Sequence, residues 1–223
     1  MNVQVYTTEE EQLQFLINYL KKHGIKIASV ILLVLAIILG RQYWEGYNNN
    51  YLTAASGVFT KMQSAVDEKE QNNFANELVK NYKSTIYGQI ATMHLANQLV
   101  AQQKWQAAAE QYKSVYINST SWTDFQIVAL ENWIRAQIEL KQYESALSNL
   151  NAVDKNLIKL YPLNFYNLKG DILFAQHKNT EAVAAYNQAL DSVSNNPQIA
   201  AQLTQFTNWI TLKRNDALPA KPL

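Results

Sequence analysis

The chain has 223 residues, 19 Lys plus Arg against 18 Asp plus Glu, a formal net charge of +1, and no cysteine. Near-neutrality excludes the basic footprint that nucleic-acid binding needs. The missing thiols exclude disulfides, cysteine nucleophiles and cysteine-ligated metals. Only six Gly and four Pro interrupt a composition dominated by Ala, Leu, Gln, Asn, Lys and Tyr, which suits helices throughout.

In chain order, residues 8–22 come first. Leu13, Leu16, Ile17 and Leu20 share one helical face, and Glu9–Glu11 lie where a helix dipole favours acids. Thr8 with Glu11 has the spacing of a capping box. Fourteen uncharged residues follow, Ile27 to Gly40 (IASVILLVLAIILG). As a helix they rise only about 21 Å, short of the roughly 30 Å hydrocarbon core of a bilayer. The flanks extend the span. Lys26 and Arg41 can carry their charged groups out to the headgroups, and Tyr43 and Trp44 are interfacial rings. A single membrane helix over 24–44 is therefore expected. A cleaved signal peptide is disfavoured by more than twenty preceding residues and by the lack of a small-x-small site at Ile38–Arg41. Lys21, Lys22 and Lys26 outweigh Arg41, which places the N-terminus in the cytoplasm. The expected divisions are a cytoplasmic segment 1–23, the span 24–44, a helical domain 45–214 and a loose tail 215–223.

Beyond the span, basic and acidic residues balance, and no alternating β-branched pattern marks a strand. Breaks are expected at Asp67–Asn73, Ser84–Thr85, Gln102–Lys104, Asn118–Thr123, Lys155–Pro162, His177–Asn179 and Ser194–Pro197. They divide the domain into helices of about 10–18 residues, the size found in bundles and in α-solenoids. Self-comparison favours the solenoid. Ala108, Ala146 and Ala182 align at spacings of 38 and 36, near the 34 of the tetratricopeptide repeat. Four residues on stand Tyr112, Leu150 and Tyr186, then Val115, Val153 and Ala189. Ala96 and Gly170 supply the small crossing residue of the preceding helix. The middle unit fits less well, because its Lys141–Gln142 turn reads one residue short and Ala136 falls out of register. A helix pair over 51–66 and 71–82 and a helix over 198–214 would cap the stack.

Catalytic motifs are missing. His23, His94 and His177 are scattered, and there is no HExxH, Gly-rich phosphate loop, G-x-S-x-G or carboxylate cluster. Asn118-Ser-Thr matches a glycosylation sequon, a pattern common by chance. No enzyme, metal or cofactor is expected. A repeat array instead offers a concave face lined by the first helix of each pair. Its outward positions by this register are Met93, Asn97, Val100, Glu131, Arg135, Ile138, Asn167, Asp171 and Phe174. Equally, these can be ordinary exposed helix positions.

Several segments in order resemble the YfgM family of Gram-negative bacteria, ancillary subunits of the SecYEG translocon. They are Glu11-Gln-Leu-Gln-Phe-Leu16, Tyr19-Leu20-Lys21-Lys22-His23-Gly24, the exit Gly40-Arg41-Gln42-Tyr43-Trp44, and Ala54-Ala55. Tyr87-Gly88-x-x-Ala91-x-x-x-Leu95-Ala96 and Leu140-Lys141-Gln142-x-x-x-Ala146-Leu147-x-x-Leu150 complete the series. The apolar run is short and the C-terminal tail long for that family. The resemblance implies an all-α protein of the bacterial inner membrane, with one transmembrane helix and a periplasmic tetratricopeptide-like α-solenoid. It implies contact with inner-membrane lipid, the SecYEG translocon, a membrane-anchored periplasmic chaperone of the peptidyl-prolyl isomerase type, and exported client proteins. A structural scaffold of an envelope assembly and a regulator acting through residues 1–20 are the competing readings.

Overall fold

In a computed structural model, residues 9–119, 121–194 and 201–219 are described, and they divide into two units, Met1–Ala54 and Ala55–Leu223. Thr8 of the expected capping box, Thr120 of the sequon, Pro197 and Pro222 lie outside the described residues.

The first unit is helical from Glu9 onward, in a helix (α1) whose bounds are Glu9–Ser64. Gly24, Gly40 and Gly46 do not break it. A single glycine costs a helix only about 1 kcal/mol relative to alanine, and each has open space beside it. From Val30 to Leu39 every large apolar side chain is exposed. The core helix of a soluble domain would bury such a face, whereas none of this apolar window is buried among the described residues. Among the described residues it is the one helix long and apolar enough to cross a membrane. Lys26, Arg41, Tyr43 and Trp44 are all exposed at its flanks. Arg41 Nε bonds Glu45 Oε1 at 2.7 Å, which draws the guanidinium one turn away from the apolar run.

The second unit begins with the end of α1, which stops at Ser64. There follow α2 (Glu68–Asn81), α3 (Ile86–Ala101), α4 (Trp105–Asn118), α5 (Thr123–Glu139) and α6 (Tyr143–Asn151). The remainder are α7 (Lys155–Leu160), α8 (Pro162–Ala175), α9 (Asn179–Ser194) and α10 (Thr204–Ala217). No strand occurs among the described residues. Neighbouring helices pack in chain order, so α3/α4, α5/α6 and α8/α9 form three successive pairs.

Four expectations change. The Asp67–Asn73 break shrinks to the residues before Glu68, because the Asp67 carboxylate accepts Glu70 N–H at 2.7 Å and caps α2. The Lys155–Pro162 break contains the short helix α7, capped by Asp154 and followed by Pro162 in the first turn of α8. The helix expected over 198–214 continues to Ala217, which is fully buried and therefore not part of a loose tail. Finally, the Lys141–Gln142 turn is not short. Gln103, Lys141 and His177 all take φ near +60°, and each turn makes the same two bonds, the first from Gln103 N–H to Val100 O, Lys141 N–H to Ile138 O and His177 N–H to Phe174 O. Lys104 N–H reaches Leu99 O, Gln142 N–H reaches Gln137 O and Lys178 N–H reaches Leu173 O, at 2.8, 2.9 and 2.9 Å. These are three copies of one Schellman C-cap, with a non-glycine residue in the left-handed position.

That shared turn sets the true register. Ala108, Ala146 and Ala182 each lie five residues after the left-handed residue, and all three are fully buried. Seven residues before it stand Ala96, Ile134 and Gly170, also buried, so the middle crossing residue is Ile134 rather than Ala136. Large and small exchange places. Tyrosine on the second helix (Tyr112, Tyr186) accompanies Ala96 or Gly170 on the first, while Leu150 accompanies Ile134. A Cβ on Gly170 would overlap the Tyr186 ring, which explains the glycine. Gly88 is required for another reason, since its Cβ would run into the backbone of Tyr82 and Lys83.

Candidate functional site

The first helices of the second and third pairs, α5 and α8, meet α10 around a cavity of about 390 Å³. Arg135, Ile138 and Glu139 come from α5, Asp171, Phe174 and Ala175 from α8, Tyr186 from α9, and Lys213 and Asp216 from α10. Helical spacing places these groups. Asp171, Phe174 and Ala175 are one turn apart on α8, as are Arg135, Ile138 and Glu139 on α5. The walls are apolar at Ile138, Phe174 and Ala175, and charges ring them.

Those charges are organised from beneath. Lys213 Nζ bonds both oxygens of Asp171, at 2.9 and 2.8 Å, and Asn167 Oδ1 at 3.2 Å. Tyr186 donates to Asp171 Oδ1 at 2.8 Å. Burial and then the Asp171 charge push the Tyr186 hydroxyl well above the usual tyrosine range, so it stays a neutral donor. On α5, Arg135 Nη2 lies 3.3 Å from Glu131 Oε2, and Asn164 Nδ2 donates to Glu131 Oε1 at 2.6 Å. Position for position, Asn97, Arg135 and Asp171 each stand six residues before the left-handed turn. Asn97 accepts the Tyr112 hydroxyl at 2.6 Å, as Asp171 accepts that of Tyr186. Arg135 has Leu150 where the others have tyrosine, so no hydroxyl ties it down, and it is exposed.

Of the nine positions nominated from sequence, Arg135, Ile138, Asp171 and Phe174 line this cavity together. Glu131 supports Arg135. Two nominations are corrected. Met93 is buried in the core that runs through the first two pairs, and Asn167 is fully buried under Lys213. Both sit on the side of the first helix that turns toward the stack, a rotation that spacing alone does not determine. Asn97 is exposed and Val100 half-buried, but both belong to α3 and do not line the cavity. Sequence reasoning missed Lys213 and Asp216, because α10 was read only as a cap. Nothing local signals that its lysine reaches back to α8.

A second, larger groove of about 630 Å³ runs between α4 and α6, floored by Trp133 and Gln137 and walled mainly by amides, serines and Glu110 and Glu144. None of the nominated residues lines it. The histidines have packing roles or none. His94 Nε2 sits 3.3 Å from Asn72 Oδ1 and from Gln98 Nε2, joining α2 to α3. Among the described residues no three His, Asp or Glu side chains group as metal ligands.

Stacked helix pairs with identical turns and a side-chain-lined hollow on their first helices define an α-solenoid of the helix-repeat class. The chain belongs to the tetratricopeptide repeat-like domain family, whose model matches residues 18–208 and so takes in the apolar helix as well as the pairs. It is similar to the protein named ancillary SecYEG translocon subunit of Escherichia coli K12, with 25% identity over 68% of this chain and 73% of the relative. The Haemophilus influenzae protein of the same name is 27% identical over 89% of this chain and 97% of its own length. Both carry the name of the family that the membrane-exit and Tyr87-Gly88 segments resemble. No solved structure gives a significant match.

Proposed function

We propose that this protein is a non-enzymatic, membrane-anchored adaptor of the SecYEG translocon. One observation carries the reading, the similarity over 89% of the chain to a relative bearing that name. The reading has three parts. The helix around residues 24–44 spans the inner membrane with the N-terminus in the cytoplasm, as the excess of Lys21, Lys22 and Lys26 over Arg41 favours. The helix pairs lie in the periplasm. There the hollow around Arg135, Ile138, Asp171 and Phe174 takes segments of exported proteins and assists their transfer to a membrane-anchored peptidyl-prolyl isomerase-type chaperone. Apolar walls ringed by charge suit a short extended or helical segment. A weak site of this kind becomes useful because an anchor raises its effective concentration beside the channel.

The test is photocrosslinking in native membranes from probes at Leu35 and at Arg135. Crosslinks from Leu35 to channel subunits, and from Arg135 to exported proteins or a folding factor, are expected. Recovery of wall-assembly proteins or cytoplasmic regulators alone overturns the reading.

A further inference from the structure

The groove between α4 and α6 has a floor whose donors the helix packing leaves unused. Gln137 of α5 lies at its base and is 6% exposed. Asn149 Nδ2 of α6 donates to Gln137 Oε1 at 3.1 Å, which fixes the amide, and the Gln137 NH₂ group has no acceptor among the described residues. One turn earlier on α5, the indole N–H of Trp133 also lacks an acceptor among them, in a side chain that is equally buried. Buried donors are normally paired, so this floor favours an occupant that presents acceptors.

The walls offer the opposite chemistry. Glu110 of α4 and Glu144 of α6 bring carboxylates, and Ser145 and Ser148 bring hydroxyls, all exposed. Gln106 Nε2 donates to Glu110 at 3.1 Å and Gln176 Nε2 to Glu144 at 3.3 Å, and each carboxylate retains capacity to accept more. From Gln106 to Lys113 on one side, and from Gln142 to Asn149 on the other, the walls run about 10 Å. That is the length of about three residues of extended chain. Donors beneath and acceptors alongside match the C=O and N–H groups of a peptide backbone.

Two other ligand classes fit less well. A sugar ring stacks on an open aromatic face, but Lys113 Nζ stands 5.5 Å from the Trp133 ring centroid and the Tyr116 ring lies 5.8 Å from it. An anionic polymer meets Glu110 and Glu144, with Lys113 the only cation of the lining.

We infer that the α4–α6 groove is a second peptide site, which holds about three residues of an extended polypeptide by its backbone and hence with little regard to sequence. It lies between second helices of neighbouring pairs, whereas the hollow is built on the first helices α5 and α8. It therefore rests neither on the hollow nor on the membrane anchor.

The experiment uses the full-length protein in nanodiscs and a fluorescein-labelled peptide of alanine, serine and threonine, which lacks the large apolar and charged side chains suited to the hollow. Fluorescence anisotropy is expected to show saturable binding, alike for scrambled sequences. Binding should weaken at least tenfold when alternate backbone amides are N-methylated, because they can no longer donate to the walls. Gln137→Glu keeps the oxygen that holds Asn149, removes the donors and should cost as much. Ser148→Trp, at an exposed position, fills the groove without entering the core and should abolish binding; circular dichroism checks the fold of both variants. Absence of saturable binding, equal affinity for the methylated peptide, or binding intact in folded Ser148→Trp overturns the inference. So does displacement of the peptide by a chitin oligosaccharide, or an affinity that falls in Arg135→Gln and not in Ser148→Trp. Crosslinks from Arg135 to exported proteins that persist in Ser148→Trp keep the proposed function standing whichever way the groove is decided.

Discussion

The middle helix pair and the pairs on either side of it solve one packing problem in opposite ways. In the first and third, a buried tyrosine on the second helix crosses a small residue on the first, Tyr112 with Ala96 and Tyr186 with Gly170. Its hydroxyl donates to Asn97 or Asp171 on that first helix. In the middle, Leu150 and Ile134 divide the volume more evenly, and no hydroxyl emerges. Close packing accepts either partition as long as the total volume is kept. The consequence is chemical. Where tyrosine is present the polar residue above it is held; where leucine replaces it, Arg135 is left to project into the hollow. Variation in the core thus sets which groove residue is available to a ligand.

The largest effect expected from breaking this pattern comes from Gly170→Ile. It forces a side chain into the Tyr186 ring and destabilises the domain by about 3 kcal/mol in urea unfolding. Adding Tyr186→Leu copies the middle arrangement and recovers about 1–2 kcal/mol; strict additivity of the two changes would refute the volume exchange. Next is Ile134→Ala, which leaves a cavity in the middle pair that Leu150 does not fill, at a cost of about 2–4 kcal/mol.

Lys213→Met is smaller because the pair it breaks is only partly buried. Asp171 then keeps the Tyr186 hydroxyl but loses its counter-ion, for a loss of about 1–2 kcal/mol. Tyr186→Phe, by contrast, sharpens the comparison through pH. An unfolded tyrosine gives up its proton near pH 10, whereas the buried Tyr112 and Tyr186 hold theirs. Above about pH 10 the unfolded state therefore binds fewer protons than the folded one, and stability falls as pH rises. The fall is expected to be shallower in Tyr186→Phe and unchanged in Leu150→Ile, and chemical unfolding between pH 8 and 11 measures it. Least of all for stability, Arg135→Gln should shift the unfolding midpoint by no more than about 0.5 kcal/mol. It should nevertheless weaken crosslinking at the hollow from a probe at Ile138. A large stability loss would make Arg135 a structural residue instead.

Much of this was readable from the residues in order. The aligned Ala108, Ala146 and Ala182 are all fully buried, as are Tyr186, Leu150 and Val115. Their helical spacing reports a core stripe directly. The turns were less legible. Gln103, Lys141 and His177 adopt a left-handed conformation usually signalled by glycine, so the middle turn read one residue short when it was the same as the others. Among the groove nominations, Arg135, Ile138, Asp171 and Phe174 share the hollow, while Met93 and Asn167 face inward. A shift of about 100° around a helix separates a lining residue from a core residue, and sequence locates the stripe no more finely than that.

The sequence by itself determined the local terms. An uncharged run flanked by lysines, arginine and aromatic rings has no favourable place in water, and apolar residues at helical spacing in short segments build helices that pack against one another. These follow from composition and periodicity, which are properties of neighbours along the chain. Only the tertiary structure decided that Ile134 and Leu150 trade volume with glycine and tyrosine elsewhere. It alone placed Lys213 on Asp171, 42 residues away, and left Trp209 uncovered. Such pairings depend on the rotation and docking of whole helices, and the free energy that selects them is shared among side chains that no local pattern connects.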